Sequence, residues 1–332
     1  MAEAYLCGMQ KTLSVIDLSA IRSNALFVRS LIGNRFFWAV VKADAYGHGA
    51  TEVARAVEDI ADGFCVALAE EGAELRICGV TKPILVLAPP LDGDDADKIK
   101  YYNLTATVTD LKSAELVKGG RCHIAVNTGM NRYGCFGNEL KEVLSAVPAE
   151  SIEGVYSHLY AAENEKECLK QLRSFETEVG AVKARNPNVR VHLAASGGIL
   201  RGGGYLFDGV RCGLMLYGYA PKGFKAAKLT PALRVYARLA RETTPTGGGV
   251  GYNIADEKYD KLYTYRLGYA DGFLRTVPLG EKTLCMDAFV SKERRALMPV
   301  FTDAERYAAR GGTISYEVLC SVTRRSRRVY LT

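Results

Sequence analysis

The chain has 332 residues with 48% apolar and 24% charged side chains and a formal net charge of +6, the profile of a soluble globular protein too long for one small core. Nine cysteines stand singly with no CxxC pair, which argues against a disulfide framework and for a reducing compartment. The first residues carry no basic region followed by a long apolar run, and the longest apolar stretches, at 64–69 and 83–90, fall far short of a membrane span, so a cytoplasmic protein is expected.

From about residue 12 to 225, short β-rich runs alternate with helix-patterned segments. Residues 36–42 (FFWAVVK) read as a buried strand, being continuous, aromatic and β-branched. Residues 49–62 follow as an amphipathic helix, 64–67 as a strand, and 69–79 as a helix closed by Gly79. Strands at 83–88 and 106–108, and a helix at 110–118, continue the rhythm. Further strands are expected at 123–127, 154–158, 189–194 and 207–211, with a long helix at 163–186. Nearly eight such repeats, with no GxGxxG after a first strand, favour a closed (β/α)8 barrel of the TIM type over a dinucleotide-binding sheet.

The pattern changes after residue 225. Residues 233–244 alternate as a strand, the glycines at 247–249 make a turn, and 259–267 and 283–290 read as strands. A short helix at 303–310 interrupts before a strand-like run at 314–322 and a final Arg-rich strand. This reads as a small β domain spanning 226–332, with which residues 1–11 pack. Arg324, Arg325, Arg327 and Arg328 are taken as its solvated edge.

The sharpest chemical signal is VVKADAYGHG at 40–49. A lysine ending a buried barrel strand points into the face where barrel active sites form, and a desolvated amine is easier to deprotonate. Taken alone, such a lysine is as simply read as one that snorkels to the barrel rim. The segment resembles the cofactor-lysine motif of the alanine racemases, and the resemblance recurs in order along nearly the whole chain: NTGMNR at 127–132, YSH at 156–158, LAAS at 193–196, VRCGL at 210–214, VGY at 250–252, GYADG at 268–272, CMD at 285–287 and SYE at 315–317.

That resemblance implies a pyridoxal 5'-phosphate enzyme that interconverts L- and D-alanine, supplies D-alanine for peptidoglycan, and works as a homodimer with composite sites. It implies that Lys42 carries the cofactor as a Schiff base and that Tyr252 is the base on the opposite face. Ser196, Tyr46 and Tyr316, with the backbone N–H groups of Gly213 and Leu214, would cradle the phosphate, and Arg211 would face the pyridine nitrogen. His158 would link Arg211 to Tyr252. Arg132 would bind the phenolic oxygen or the substrate carboxylate, Met286 would offer its N–H to that carboxylate, and Tyr269 would narrow the substrate corridor. The other histidines, His48, His123 and His192, form no metal-ligand spacing.

The chain also departs from the family pattern. Ala125 stands where many members carry a lysine, Asn127 where an aspartate is usual, Ala195 where an asparagine precedes the phosphate serine, and Asn253 where a glycine follows the tyrosine. Thr283 and Leu284 replace the usual arginine before CMD, and the β domain is short. Serine or a broader substrate set, or a pyridoxal-phosphate-binding protein of little activity, are the competing readings. Tyr316 favours alanine over serine.

Overall fold

The computed structural model describes residues 12–255 and 257–332, so the expectation for residues 1–11 falls outside the described residues. The chain separates into two compact units. One comprises Ala20–Ala45 and Gly49–Thr230; the other comprises Pro231–Thr332 with the segment to Ser19 and the tripeptide Tyr46–His48.

The first unit is the expected barrel. Its eight strands are β2 (Phe36–Val40), β3 (Gly63–Val66), β4 (Ile84–Val86), β5 (Ala106–Val108), β6 (Cys122–Ala125), β7 (Ile152–Tyr156), β8 (Arg190–His192) and β9 (Gly209–Cys212). They pair in parallel in the order β4-β3-β2-β9-β8-β7-β6-β5, and a Leu85–Thr105 bridge closes the ring. Helices precede or follow the strands: α1 (Leu18–Ile32), α2 (Ala50–Val57), α3 (Ala69–Ile77), α4 (Gly93–Tyr101), α5 (Leu111–Leu116), α6 (Asn138–Ala146), α7 (Glu165–Arg185) and the short α8 (Ser196–Arg201). Three of them start with ordinary capping chemistry. Asp92, Asp110 and Asn164 each accept the backbone N–H of the residue three further on, which satisfies a donor the helix itself leaves open.

The barrel interior is filled from opposite walls. Trp38 on β2 meets His123 on β6 edge-on, at 5.7 Å between ring centroids, and lies 6.2 Å from His192 on β8, although neither strand neighbours β2. Glycines make room for these rings. A Cβ at Gly63 would lie 2.6 Å from Trp38 Cζ3, and one at Gly154 would lie 2.6 Å from His123 Cε1. Large side chains from some strands thus fill space that small residues on others leave free, as barrel cores require.

The second unit is a mainly antiparallel sheet in the order β14-β13-β10-β1-β16, with β15 also paired to β10. Its strands are β1 (Leu13–Asp17), β10 (Leu233–Thr243), β13 (Leu262–Arg266), β14 (Phe289–Ser291), β15 (Leu297–Phe301) and β16 (Arg327–Leu331). A two-stranded ribbon, β11 (Gly249–Val250) and β12 (Asn253–Ile254), and helices α9 (Ala304–Gly311) and α10 (Ser315–Ser321) complete it.

Three local readings change. β1 lies in the segment expected to open the barrel, yet it pairs with β10 and β16. Residues 314–322 form helix α10, because the buried Val318, Leu319 and Val322 recur at helical rather than alternate spacing. The strand expected at 283–290 shrinks to β14, because Cys285 N–H closes a turn onto Ala288 O and the carbonyls of Cys285 and Met286 are taken by Tyr269 and Ala270.

Candidate active site

Strand hydrogen bonding in β2 ends as Val41 donates to Cys65 O, and Lys42 opens a turn of unusual hand. Ala43, Asp44, Ala45 and Tyr46 all have φ between 51° and 53°. Left-handed backbone costs an L-residue roughly 1–2 kcal/mol, so four in succession need external support. Part of it is visible within the barrel unit. Glu71, at the start of α3, accepts Ala43 N–H at 2.6 Å through one carboxylate oxygen, and Ala67 and Leu68 N–H at 2.6 and 3.2 Å through the other. Asp44 accepts Ala50 N–H at 2.8 Å. Glu71 has no place in the motifs, although a glutamate three residues after the residue that opens a helix is a sequence signal.

The other barrel residues singled out from the sequence gather at the C-terminal ends of the strands. Arg132 lies in the loop after β6, His158 just beyond β7, Ser196 just beyond β8, Arg211 on β9, and Gly213 and Leu214 immediately after it. Lys42 is half-buried among them, and its charge acts on His158 together with those of Arg211 and Arg132. Burial first, and then those three cations, push the His158 imidazole down to about 3, so it is neutral near pH 7.

Arg211 is buried at 3% exposure, and its charge is retained against the cost of burial by four acceptors. Nη1 donates to His192 Nδ1 at 2.6 Å and to His192 O at 2.9 Å; Nη2 donates to Ser157 O at 2.5 Å and to Leu193 O at 3.2 Å. The Tyr156 ring lies beneath the guanidinium, 4.7 Å from Cζ, and stacks on His192 at 5.1 Å. Four of the five guanidinium donors are therefore committed to the protein, and among the described residues the Nε–H is the one left over. The imidazole bonded to Arg211 belongs to His192, and no hydrogen bond joins His158 to Arg211 among the described residues. His192 sits in β8, one strand-neighbour from Arg211, whereas the His158 side chain lies beyond the end of β7.

Ser196 opens α8 with a hydroxyl at 4% exposure, 3.4 Å from the Met215 N–H that it accepts. Leu214 begins a one-turn helix, Leu214–Tyr217, whose first N–H groups have no partner within the turn. Arg132 is exposed, with its Cζ over the Tyr133 ring, 5.7 Å from the centroid. Ala125, seven residues earlier, faces Tyr156 across the β6–β7 pair and offers nothing polar to orient it.

Tyr46, Tyr252, Tyr269, Met286 and Tyr316 belong to the second unit. Tyr46 and Tyr316 are brought together there, with ring centroids 5.9 Å apart. Tyr269 and Met286 also share one locus. Tyr269 N–H donates to Cys285 O and Ala270 N–H to Met286 O, and a Cβ at Gly268 would lie 2.2 Å from Met286 O. The Gly251–Tyr252 turn reaches the same place: Asn253 Nδ2 donates to Thr283 Oγ1 at 3.1 Å, and a Cβ at Gly251 would lie 3.1 Å from Cys285 Sγ. Tyr252 itself is 79% exposed and Met286 51%. Arg325, read as part of a solvated edge, ties the two loops by ion pairs to Asp271 at 3.6 Å and Asp287 at 2.7 Å. Among the described residues no cluster of His, Cys, Asp and Glu could hold a metal ion.

Residues 16–221 match the family model described as alanine racemase, N-terminal domain. Over 82% of the chain, the sequence is 36% identical to an alanine racemase of Prochlorococcus marinus, of which it covers 76%. The fold superposes with a TM-score of 0.86 on the alanine racemase of Bacillus anthracis with bound L-Ala-P, at 29% identity, covering 98% of this chain and 96% of that one. It superposes with a TM-score of 0.84 on the alanine racemase of Bartonella henselae with covalently bound pyridoxal phosphate, at 25% identity, covering 97% and 100%.

Proposed function

The chain belongs to the alanine racemase family, and on that premise we propose that it interconverts L- and D-alanine by a two-base mechanism with pyridoxal 5'-phosphate held on Lys42. The observation that carries this reading is Arg211: a buried cation with four donors fixed by the protein, whose charge and that of the half-buried Lys42 both act on His158 at the barrel rim. The residues present fit the cofactor. A guanidinium offers a donor to a ring nitrogen and does not surrender its proton, so that nitrogen stays unprotonated. The Ser196 hydroxyl and the first N–H groups of the turn at Leu214 suit a phosphate, with Gly213 giving close backbone approach. The hydroxyls of Tyr46 and Tyr316 complete that cradle.

When bound, pyridoxal phosphate supplies an electrophilic carbon for the amine and a sink for the electrons released at the substrate α-carbon. An unprotonated ring nitrogen limits that sink, which suits racemisation over transamination. The protein does the rest. Lys42 takes or returns the α-proton on one face, and the Tyr252 hydroxyl on the other. Arg132 and the Met286 N–H hold the substrate carboxylate, and Tyr269 narrows access. His158, neutral near pH 7, adds no further cation beside Arg132 and Arg211.

Tyr252 and Met286 are exposed in their own unit, in keeping with a homodimer in which each second unit completes the partner's site. No helix among the described residues is long and apolar enough to cross a membrane, and every described cysteine is a free thiol. On the strength of the family membership, the proposal includes a reaction in the cytoplasm, with D-alanine serving peptidoglycan synthesis.

The test is a chiral assay of L- and D-alanine with added pyridoxal phosphate, followed by borohydride reduction and peptide mapping. Turnover in both directions and a pyridoxyl group on Lys42 are expected. A pyridoxyl group on another lysine, or no turnover by the loaded protein, overturns the proposal.

A further inference from the structure

We infer that His123, on the wall of the barrel opposite Trp38, is a positioning residue that fixes Arg211 through His192. The argument begins with donors and acceptors. A guanidinium can only donate, so His192 Nδ1, 2.6 Å from Arg211 Nη1, must accept. A proton on that nitrogen would face another N–H. His192 therefore carries its single proton on Nε2, which lies 2.8 Å from His123 Nδ1. His123 Nδ1 must in turn accept, so its own proton sits on Nε2. Both imidazoles are fully buried and burial holds both neutral, in agreement with this assignment.

The hydrogen bonds thus run one way, from Arg211 to His192 to His123, and end on a buried His123 Nε2–H that has no polar partner among the described residues. An unpaired buried donor is a cost that a purely space-filling residue would avoid. The fold also makes room for this ring: a Cβ at Gly154 would lie 2.6 Å from His123 Cε1 and 2.7 Å from Nδ1. What His123 contributes is an acceptor for His192. Without it, the His192 Nε2–H is orphaned, and moving the proton to Nδ1 would set an N–H against Arg211. Either outcome loosens one of the four acceptors that leave the Arg211 Nε–H free to face the cofactor.

The inference rests on the proposed role of Arg211, but the proton positions can be read without turnover. Asn places its side-chain oxygen the same number of bonds from Cα as His Nδ1, whereas Leu has the same branching and no acceptor. The experiment records long-range proton–nitrogen spectra of ¹⁵N-histidine-labelled, cofactor-loaded protein for wild type, His123→Asn, His123→Leu and Gly154→Ala. In the wild type both His123 and His192 should show the Nε2–H form. His123→Leu should disturb the His192 signals and lower kcat for alanine about tenfold with KM little changed, as loss of an outer-shell partner does. His123→Asn should restore both, and Gly154→Ala, which displaces His123, should resemble His123→Leu. Finding the His192 proton on Nδ1 overturns the inference. So does a His123→Asn variant that behaves like His123→Leu, or a His123→Leu variant with unchanged His192 signals and kcat. A protein that racemises nothing while showing the expected proton positions would defeat the proposed function and leave the hydrogen-bond chain standing.

Discussion

The backbone N–H of Ala43 points at Glu71 Oε1 from 2.6 Å, so the residue after Lys42 is pinned by a carboxylate at the start of the next helix. The same carboxylate holds Ala67 and Leu68, coupling the β3–α3 loop to the left-handed turn that follows Lys42. Hydrogen bonds to a charged acceptor contribute about 1.5–3 kcal/mol each, comparable to the roughly 1–2 kcal/mol cost of each left-handed residue. Glu71→Ala should therefore release the turn without unfolding the barrel. We expect weakened retention of the cofactor on Lys42 through repeated dialysis, with an unchanged far-ultraviolet circular-dichroism spectrum. Glu71→Gln, which keeps an acceptor oxygen, should lie between the two. Wild-type retention in Glu71→Ala would show that the turn is held by other contacts.

Arg325 illustrates how a charge run can mislead. Four arginines within five residues suggest a solvated edge, yet Arg325 reaches Asp271 in the GYADG loop and Asp287 in CMD. Asp271 also accepts Gly268 N–H at 2.8 Å, so Arg325 bears on the loop that carries Tyr269 and on the turn that carries Met286. The Asp287 hydrogen bond raises the Arg325 pKa further, so the pair persists across neutral pH. Arg325→Ala should raise KM for alanine severalfold with a smaller effect on kcat, the pattern of lost substrate binding. Since Arg325 and Asp287 are both exposed, the difference should shrink in high salt. A salt-independent fall in kcat alone would contradict this role.

Much of the architecture follows from local pattern. Residues 36–42 are recognisable as a buried strand because the six side chains before Lys42 are all apolar, and the alternation of such runs with capped helices specifies a barrel. β1 escapes that logic. Its pairing with β16 joins residues more than three hundred positions apart, and a short apolar run carries no mark of its partner. The motifs locate Lys42, Ser196 and Arg211 in the site, but not the support beneath them. Glu71 and His192 lie outside the catalytic motifs, and whether His158 or His192 faces Arg211 depends on strand register, which one sequence does not display. His123 shows no metal-ligand spacing in the sequence, and its partner is another histidine 69 residues away.

The buried histidines make a prediction about acid. The His123 pKa is held at about 3 by burial and by the charges of Arg190 and Arg211, against about 6.5 in an unfolded chain. Between those values the unfolded chain binds the extra proton, so stability is full above about pH 6.5 and is lost as pH falls toward 3. At about pH 5 the loss attributable to His123 is about 2 kcal/mol, and His192 acts in the same direction. Urea midpoints at about pH 7.5 and pH 5 should differ accordingly, and His123→Asn should narrow the gap by about that amount. An unchanged gap would mean that His123 is not neutral and buried in solution.

Composite sites predict complementation. Lys42→Ala and Tyr252→Phe chains should each be inactive alone. In a mixed dimer one site combines the intact barrel of the second chain with the intact Tyr252 of the first. Mixing under exchange conditions should restore up to about a quarter of wild-type activity, since half the dimers are mixed and each holds one good site of two. No recovery despite demonstrated chain exchange would place both bases in one subunit.

The most diagnostic prediction concerns the two faces of the α-carbon. Lys42 should exchange the α-proton of D-alanine with solvent, and Tyr252 that of L-alanine. Tyr252 shows no hydrogen bond among the described contacts and is 79% exposed in its own unit, so Tyr252→Phe removes a hydroxyl without emptying a core. The visible spectrum of the loaded protein should persist while racemisation falls by about 10²–10⁴, the usual cost of losing a general base. In deuterium oxide the variant should still wash the α-proton out of D-alanine, because Lys42 remains on that face, while washout from L-alanine falls far more. Tyr269→Phe serves as the control: both washout rates should fall together, through access rather than proton transfer. Equal loss of washout from the two enantiomers in Tyr252→Phe would show that this tyrosine is structural and that the opposing base lies elsewhere.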